Sequence, residues 1–196
     1  MTMTPAFAID LTAAAATPAV FALTAALGPL ALPVFFDDVR DHWRLAGADD
    51  LARLARPPGR LAGWSDRLRR LTGRARGRPL PEECLGFIEP GLFSAEVARA
   101  LPALFASVRG PRVARLHALS PLQHPESAPP ALVARLAAYA HELRTFDGIV
   151  ADSEDACAEL LDYWRWLGFS ASPPVVALAA ENPSDLIAWI QSLPAR

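Results

Sequence analysis

Eight arginines fall within residues 56–78 against a single acid, Asp66, giving that stretch a local charge of +7. Since the whole chain carries −2, the remainder carries −9. Guanidinium groups make paired hydrogen bonds to phosphate oxygens, and a basic residue near an anionic bilayer contributes about 1 kcal/mol of attraction. Arg67, Arg70 and Arg74 are therefore candidate contacts for an anionic membrane surface or a lipid-linked pyrophosphate. A solvated excursion between a helix and a strand accounts for the same charges. Trp64 and Leu68 would serve a docking helix, or equally pack on the domain.

The other reactive side chains exclude more than they indicate. The histidines (His42, His117, His124, His141) fall in no H-E-x-x-H or Cys/His pattern, so no metal site is expected. Cys84 and Cys157 lie far apart in apolar stretches, which fits buried free thiols in a reducing compartment better than a disulfide. With 19 basic and 21 acidic residues the molecule as a whole lacks the charge of a nucleic-acid binder. Every basic residue is arginine. No cofactor motif is present.

At 196 residues and 52% hydrophobic, the chain suits one domain over residues 1–196, with an excursion at 56–78. No charge occurs from Leu11 to Phe36, a length that could cross a membrane. Pro18, Gly28, Pro29 and Pro33 interrupt that run, and no basic residue precedes it, so a strand, a helix and a strand are the better reading. The first strand is PAFAIDL (5–11). Thr17 and Pro18 open a helix that stops at Gly28-Pro29. LALPVFF (30–36) is a second strand, in which Pro33 argues for an edge or a bulge.

Further on, Trp43, Leu45, Leu51 and Leu54 predict a helix over Asp37–Arg56, and a short helix is expected around Leu61–Leu71. CLGFI (84–88) is the third strand. Ser94 opens a helix in which Pro102 predicts a kink or restart. Val113–Leu119 is the fourth strand, and a helix over about 131–145 follows. FDGIVA (146–151) is the fifth strand, and Asp152 or Ser153 caps a helix closed by Gly168. PVVAL (174–178) is the sixth strand, and Ser184 caps a last helix. Strands alternating with helices predict an α/β fold: a doubly wound, mostly parallel, Rossmann-like sheet covered on both faces. Ligands in such sheets sit beyond the carboxyl ends of the strands. The loops after residues 11, 36, 89, 117, 152 and 178 thus form the candidate site, with Thr12 and Gly91 among its first positions.

The segment 116–178 carries a family likeness. It reads LHALSPLQHPE, then FDGIVADSEDACAELLDYW, then LGFSASPPVVAL. This resembles the N-terminal, acceptor-side domain of GT-B-fold glycosyltransferases of the mannosyltransferase-like family four. In that family a His-Asp-x-x-Pro motif precedes His-Pro-Glu, then a Ser-capped helix and a Pro-Val-Val strand. The matching positions are His117 to Pro121, His124-Pro125-Glu126, Ser153 and Pro174-Val175-Val176. The motif's aspartate is Ala118 here, and a glycine loop expected after the first strand is Ala13 to Ala16.

The resemblance implies a hexosyltransferase-related protein of surface polysaccharide assembly. His117 would hydrogen-bond a hydroxyl of the reacting sugar as the catalytic residue, although a strand-end histidine satisfied by backbone fits the same position. Ser120, His124, Glu126 and Ser153, with Thr12 and Gly91, would line the acceptor site. His124 and Glu126 fit a loop-ordering role better than a catalytic one, and Ser153 is first a helix cap. The donor-binding half has no counterpart in these residues, so a donor-domain partner or a degenerate, non-catalytic role is expected. The partners implied are a glycan or lipid-linked acceptor and, peripherally, the inner face of a membrane, with a cytoplasmic location. The other reading is a non-catalytic Rossmann-like module that docks a protein partner through its tryptophan-bearing helix and arginine segment.

Overall fold

The computed structural model describes residues 6–12, 18–38, 41–47, 50–51, 80, 84–116, 118–178 and 183–194. Seven strands among them form one sheet, β1 (Ala6–Asp10), β2 (Ala31–Asp37), β3 (His42–Leu45), β4 (Cys84–Glu89), β5 (Arg112–Leu116), β6 (Gly148–Ala151) and β7 (Val175–Ala177). Their spatial order is β3-β2-β1-β4-β5-β6-β7, all parallel except β3 against β2. The helices are α1 (Pro18–Leu27), α2 (Ala95–Ser107), α3 (Ser120–Gln123), α4 (Pro130–Glu142), α5 (Glu154–Trp166) and α6 (Pro183–Ser192). This is the α/β, Rossmann-like architecture expected from the alternation of strands and helices.

Both faces of the sheet are covered, which is why its strands are apolar without strict alternation. On one face α2 contributes Val97, Leu101 and Leu104, α4 contributes Leu136 and Tyr139, and α5 contributes Cys157, Leu160 and Trp164. They pack on Ala8, Phe87, Ala114 and Ile149 of the strands. On the other face Val20, Leu23 and Leu27 of α1 and Ile190 of α6 meet Phe7, Ile9, Ile88, Val113 and Val150. The last helix therefore returns across the sheet to lie beside α1. Gly148 makes this possible, since a Cβ there would lie 2.6 Å from the Trp189 ring of α6.

Helix ends follow the local chemistry. The Ser94 hydroxyl accepts from the Val97 N–H at 3.3 Å, and that of Ser153 accepts from Ala156 at 3.1 Å. Gly168, at φ +78°, closes the turn after α5 in a conformation other residues adopt reluctantly. The indole N–H of Trp164 donates to the Ala140 carbonyl at 2.7 Å and ties α5 to α4. Both cysteines are buried, and no disulfide joins them. The described residues of the apolar run 11–36 include α1 and most of β2, and no helix among the described residues is long and apolar enough to cross a membrane.

Several local expectations are corrected. Within the span 37–56, expected as one helix, Asp37 instead ends β2 and His42–Leu45 form β3, antiparallel to β2 with Asp37 opposite His42; Asp50 and Leu51 are helical, and 52–56 lie outside the described residues. Asp41 makes the turn with a left-handed φ of 52°, a conformation aspartate tolerates better than most residues. Trp43 then packs on Phe36 across the ladder (centroids 5.4 Å), and Arg44 turns to the opposite side, where Asp50 pairs with it at 2.6 Å. Pro33 sits inside the sheet, not at an edge. Its carbonyl accepts from Ala46 N–H at 2.8 Å where the β2–β3 ladder ends, so its missing donor falls at that ladder's last position. Helix α2 runs unbroken past the exposed Pro102. Cys84–Glu89 is consequently the fourth strand in chain order. The short helix expected at 61–71 lies outside the described residues.

Candidate functional site at the strand ends

The chain lays β2 and β3 on one side of β1 and then starts β4 on the other. Strand order thus reverses between β1 and β4, the place where open α/β sheets leave a crevice at their carboxyl ends. β1 and β4 both finish in an acid there, AFAID and CLGFIE. Register places Ile9 beside Ile88, so the next positions bring Asp10 beside Glu89. Ala8 and Phe87, two residues earlier, face the larger core, and the period of a strand turns the two acids toward that same face.

Both acids are 0% exposed. One oxygen of Asp10 is well served: Oδ1 accepts from the Thr12 N–H at 2.7 Å and from the Thr12 hydroxyl. That hydroxyl in turn accepts from the Phe36 N–H at 2.7 Å, joining the end of β1 to β2. Among the described residues, no N–H or hydroxyl group gives a well-formed hydrogen bond to Asp10 Oδ2 or to either oxygen of Glu89. The Glu89 carboxyl lies against that of Asp10, with the Gly91 N–H near it. Burial pushes the Asp10 carboxyl above its ordinary range, opposed by its bonds from Thr12. Burial, and then the charge of Asp10, push Glu89 well above its own. Tyr139 of α4 donates its hydroxyl to the Arg115 carbonyl at 2.8 Å, and burial pushes its phenol well above the ordinary range.

The neighbouring strand ends are built differently. Arg115 of β5 reaches across to Asp152 after β6, Nε to Oδ1 at 2.7 Å. Asp152 N–H donates to the Leu116 carbonyl at 3.1 Å, and Ser153 then caps α5. Glu159 of α5 fixes the turn after β5 by accepting from the Leu119 N–H at 3.0 Å.

The fold brings Thr12, Gly91, Ser120 and Ser153 to one edge, since each follows the carboxyl end of a parallel strand. Thr12 and Ser153 carry structural bonds as well, to Asp10 and to Ala156. Ser120 is exposed at the start of α3, and its carbonyl accepts from His124 N–H at 3.0 Å. His124 and Glu126 lie farther along that loop with side chains 67% and 75% exposed and 3.7 Å apart. They face water. His117, Arg67, Arg70 and Arg74 fall outside the described residues. Among the described residues no group of three or more metal-ligating side chains occurs.

Sequence reasoning missed Asp10 and Glu89. The available signal was an acid closing each of two otherwise apolar strands. No family model matches the chain, and neither does any curated protein or solved structure.

Proposed function

We propose that this domain binds a hydroxyl-rich glycan acceptor in the crevice above the carboxyl ends of β1, β4, β5 and β6. In this reading it is the acceptor side of a hexosyl transfer in surface polysaccharide assembly, with the nucleotide sugar held by a separate donor-binding unit. It would work in the cytoplasm, at the inner face of a membrane. The observation that carries the reading is the reversal of strand order between β1 and β4, with hydroxyl-bearing residues at the strand ends around it. The charge there favours a neutral ligand. Asp152, Glu154 and Asp155 surround the amino end of α5, so its dipole is already answered by acids and an anion gains little from it.

The test is a titration of the 15N-labelled chain with neutral oligosaccharides and, separately, with nucleotide sugars. Amides of Thr12, Gly91, Ser120 and Ser153 are expected to move saturably with an oligosaccharide and to stay fixed with nucleotide sugars. Tight nucleotide-sugar binding, or no movement with any glycan, overturns the reading.

A second reading, a protein-interaction module, is favoured by one feature of α5. Trp166 is 78% exposed, with Leu161 and Leu167 each 38% exposed and the Tyr163 ring 6.0 Å away. Under that reading Trp166→Ala leaves the fold intact and abolishes co-purification of the partner, while glycans leave the strand-end amides unmoved.

A further inference from the structure

Three of the four carboxyl oxygens of Asp10 and Glu89 receive no well-formed hydrogen bond from the described residues, although both side chains are fully buried and the Gly91 N–H lies near Glu89. Two carboxylates this close repel each other, and burial penalises the charge on both. One added proton removes the difficulty. Asp10 is the carboxylate, because its Oδ1 already collects two bonds from Thr12. Glu89 is the acid, because neither of its oxygens has a well-formed bond from a donor. A Glu89 O–H then donates to the orphaned Asp10 Oδ2.

We propose that this shared proton is a clamp: it fastens the carboxyl ends of β1 and β4 together at the reversal point, and its loss opens that edge. The clamp reaches further than the two acids. Asp10 holds Thr12, Thr12 holds Phe36 of β2, and Glu89 lies beside the Gly91 N–H that begins the next turn. When the proton leaves, two like charges remain in a fully buried site, and the turns after β1 and β4 separate. Because neither acid is exposed, the pair acts through these turns and touches no ligand in the closed form. The clamp does not depend on the crevice taking a glycan.

The titratable and charged groups around it, among the described residues, leave the proton as its balancing charge. Tyr139 faces it from α4 with its proton given to the Arg115 carbonyl. Arg135 on the same helix is engaged by Glu142 at 2.6 Å, and Arg115 by Asp152. The raised affinity of Glu89 for a proton, caused by burial and by Asp10, agrees with this assignment.

The experiment follows the full chain by infrared and 15N-correlated NMR spectra from mildly acidic to mildly alkaline pH. The wild type is expected to keep a carboxylic-acid absorption at neutral pH, to lose it as pH rises, and to move the Thr12, Phe36 and Gly91 amides with the same single-proton midpoint. Glu89→Gln, which keeps a donor to Asp10 but cannot lose it, is expected to lack both the band and the midpoint and to hold the low-pH amide positions. Should that variant not fold, the wild-type infrared and amide titrations decide alone. Absence of the acid band at neutral pH overturns the clamp. So does amide movement spread over every strand, or a Glu89→Gln midpoint equal to that of wild type.

Discussion

Two side-chain pairs bridge neighbouring strand ends at the same edge of this sheet, and they are built on opposite principles. Asp10 and Glu89 join β1 to β4 with two groups of the same sign, fully buried. Arg115 and Asp152 join β5 to the turn after β6 with opposite signs, their side chains 12% and 31% exposed. The second pair balances its own charges and is partly screened by water. The first is complete only with a proton. Similar backbone positions therefore give one join that responds to pH through its own partner and one that responds chiefly to salt.

The largest expected break in this comparison is Asp10→Ala. It removes the acceptor for the Thr12 N–H and hydroxyl and leaves a buried Glu89 without its neighbour. Loss of one member of such a buried set typically lowers stability by about 3 kcal/mol. Urea denaturation at mildly acidic pH measures it. A loss below about 1 kcal/mol, the scale of one ordinary hydrogen bond, would mean that the β1–β4 join is no tighter than a surface contact.

Next in size is the pH dependence. Glu89 binds its proton more tightly in the folded chain than in the unfolded one. Its contribution is therefore fully present below the ordinary glutamate range and is lost as pH rises through the raised folded value. Each unit between those two values removes about 1.4 kcal/mol. Subtracting the stability profile of Glu89→Gln from that of wild type isolates this part. The difference should fall with rising pH and then level off; a difference that is flat across the range contradicts the buried acid.

The sequence conveys these two joins unequally, for a physical reason. Apolar runs, glycine and proline stops and the capping serines are local signals, and they place β1, α1, β4, α2, β6, α5 and α6 within a few residues. β3 was lost because Trp43, Leu45, Leu51 and Leu54 are spaced as on a helix. The strand HWRL begins after Asp41, which is left-handed, and pairs with Phe36 across the ladder, and neither feature is visible in local spacing. The Ser153 cap was legible because its partner lies three residues on. Asp10 and Glu89 were not, since their meeting depends on β4 choosing the free side of β1. Tertiary pairing decides that, and no spacing along the chain records it.

The smallest expected effect sharpens the other side of the comparison. In a double-mutant cycle of Arg115→Ala and Asp152→Ala, the coupling should be about 0.5 kcal/mol, as for partly exposed ion pairs. The single Arg115 variant will lose more than this, because its side chain, only 12% exposed, loses packing as well as charge. The cycle removes that packing term. Added salt should shrink the coupling further, as water and ions reach Asp152. A coupling as large as that of a buried pair, unchanged by salt, would place Arg115–Asp152 in the same dry environment as Asp10–Glu89. The two joins would then differ only in the sign of their charges, and solvent access would no longer separate the pH-sensitive strand ends from the salt-sensitive ones.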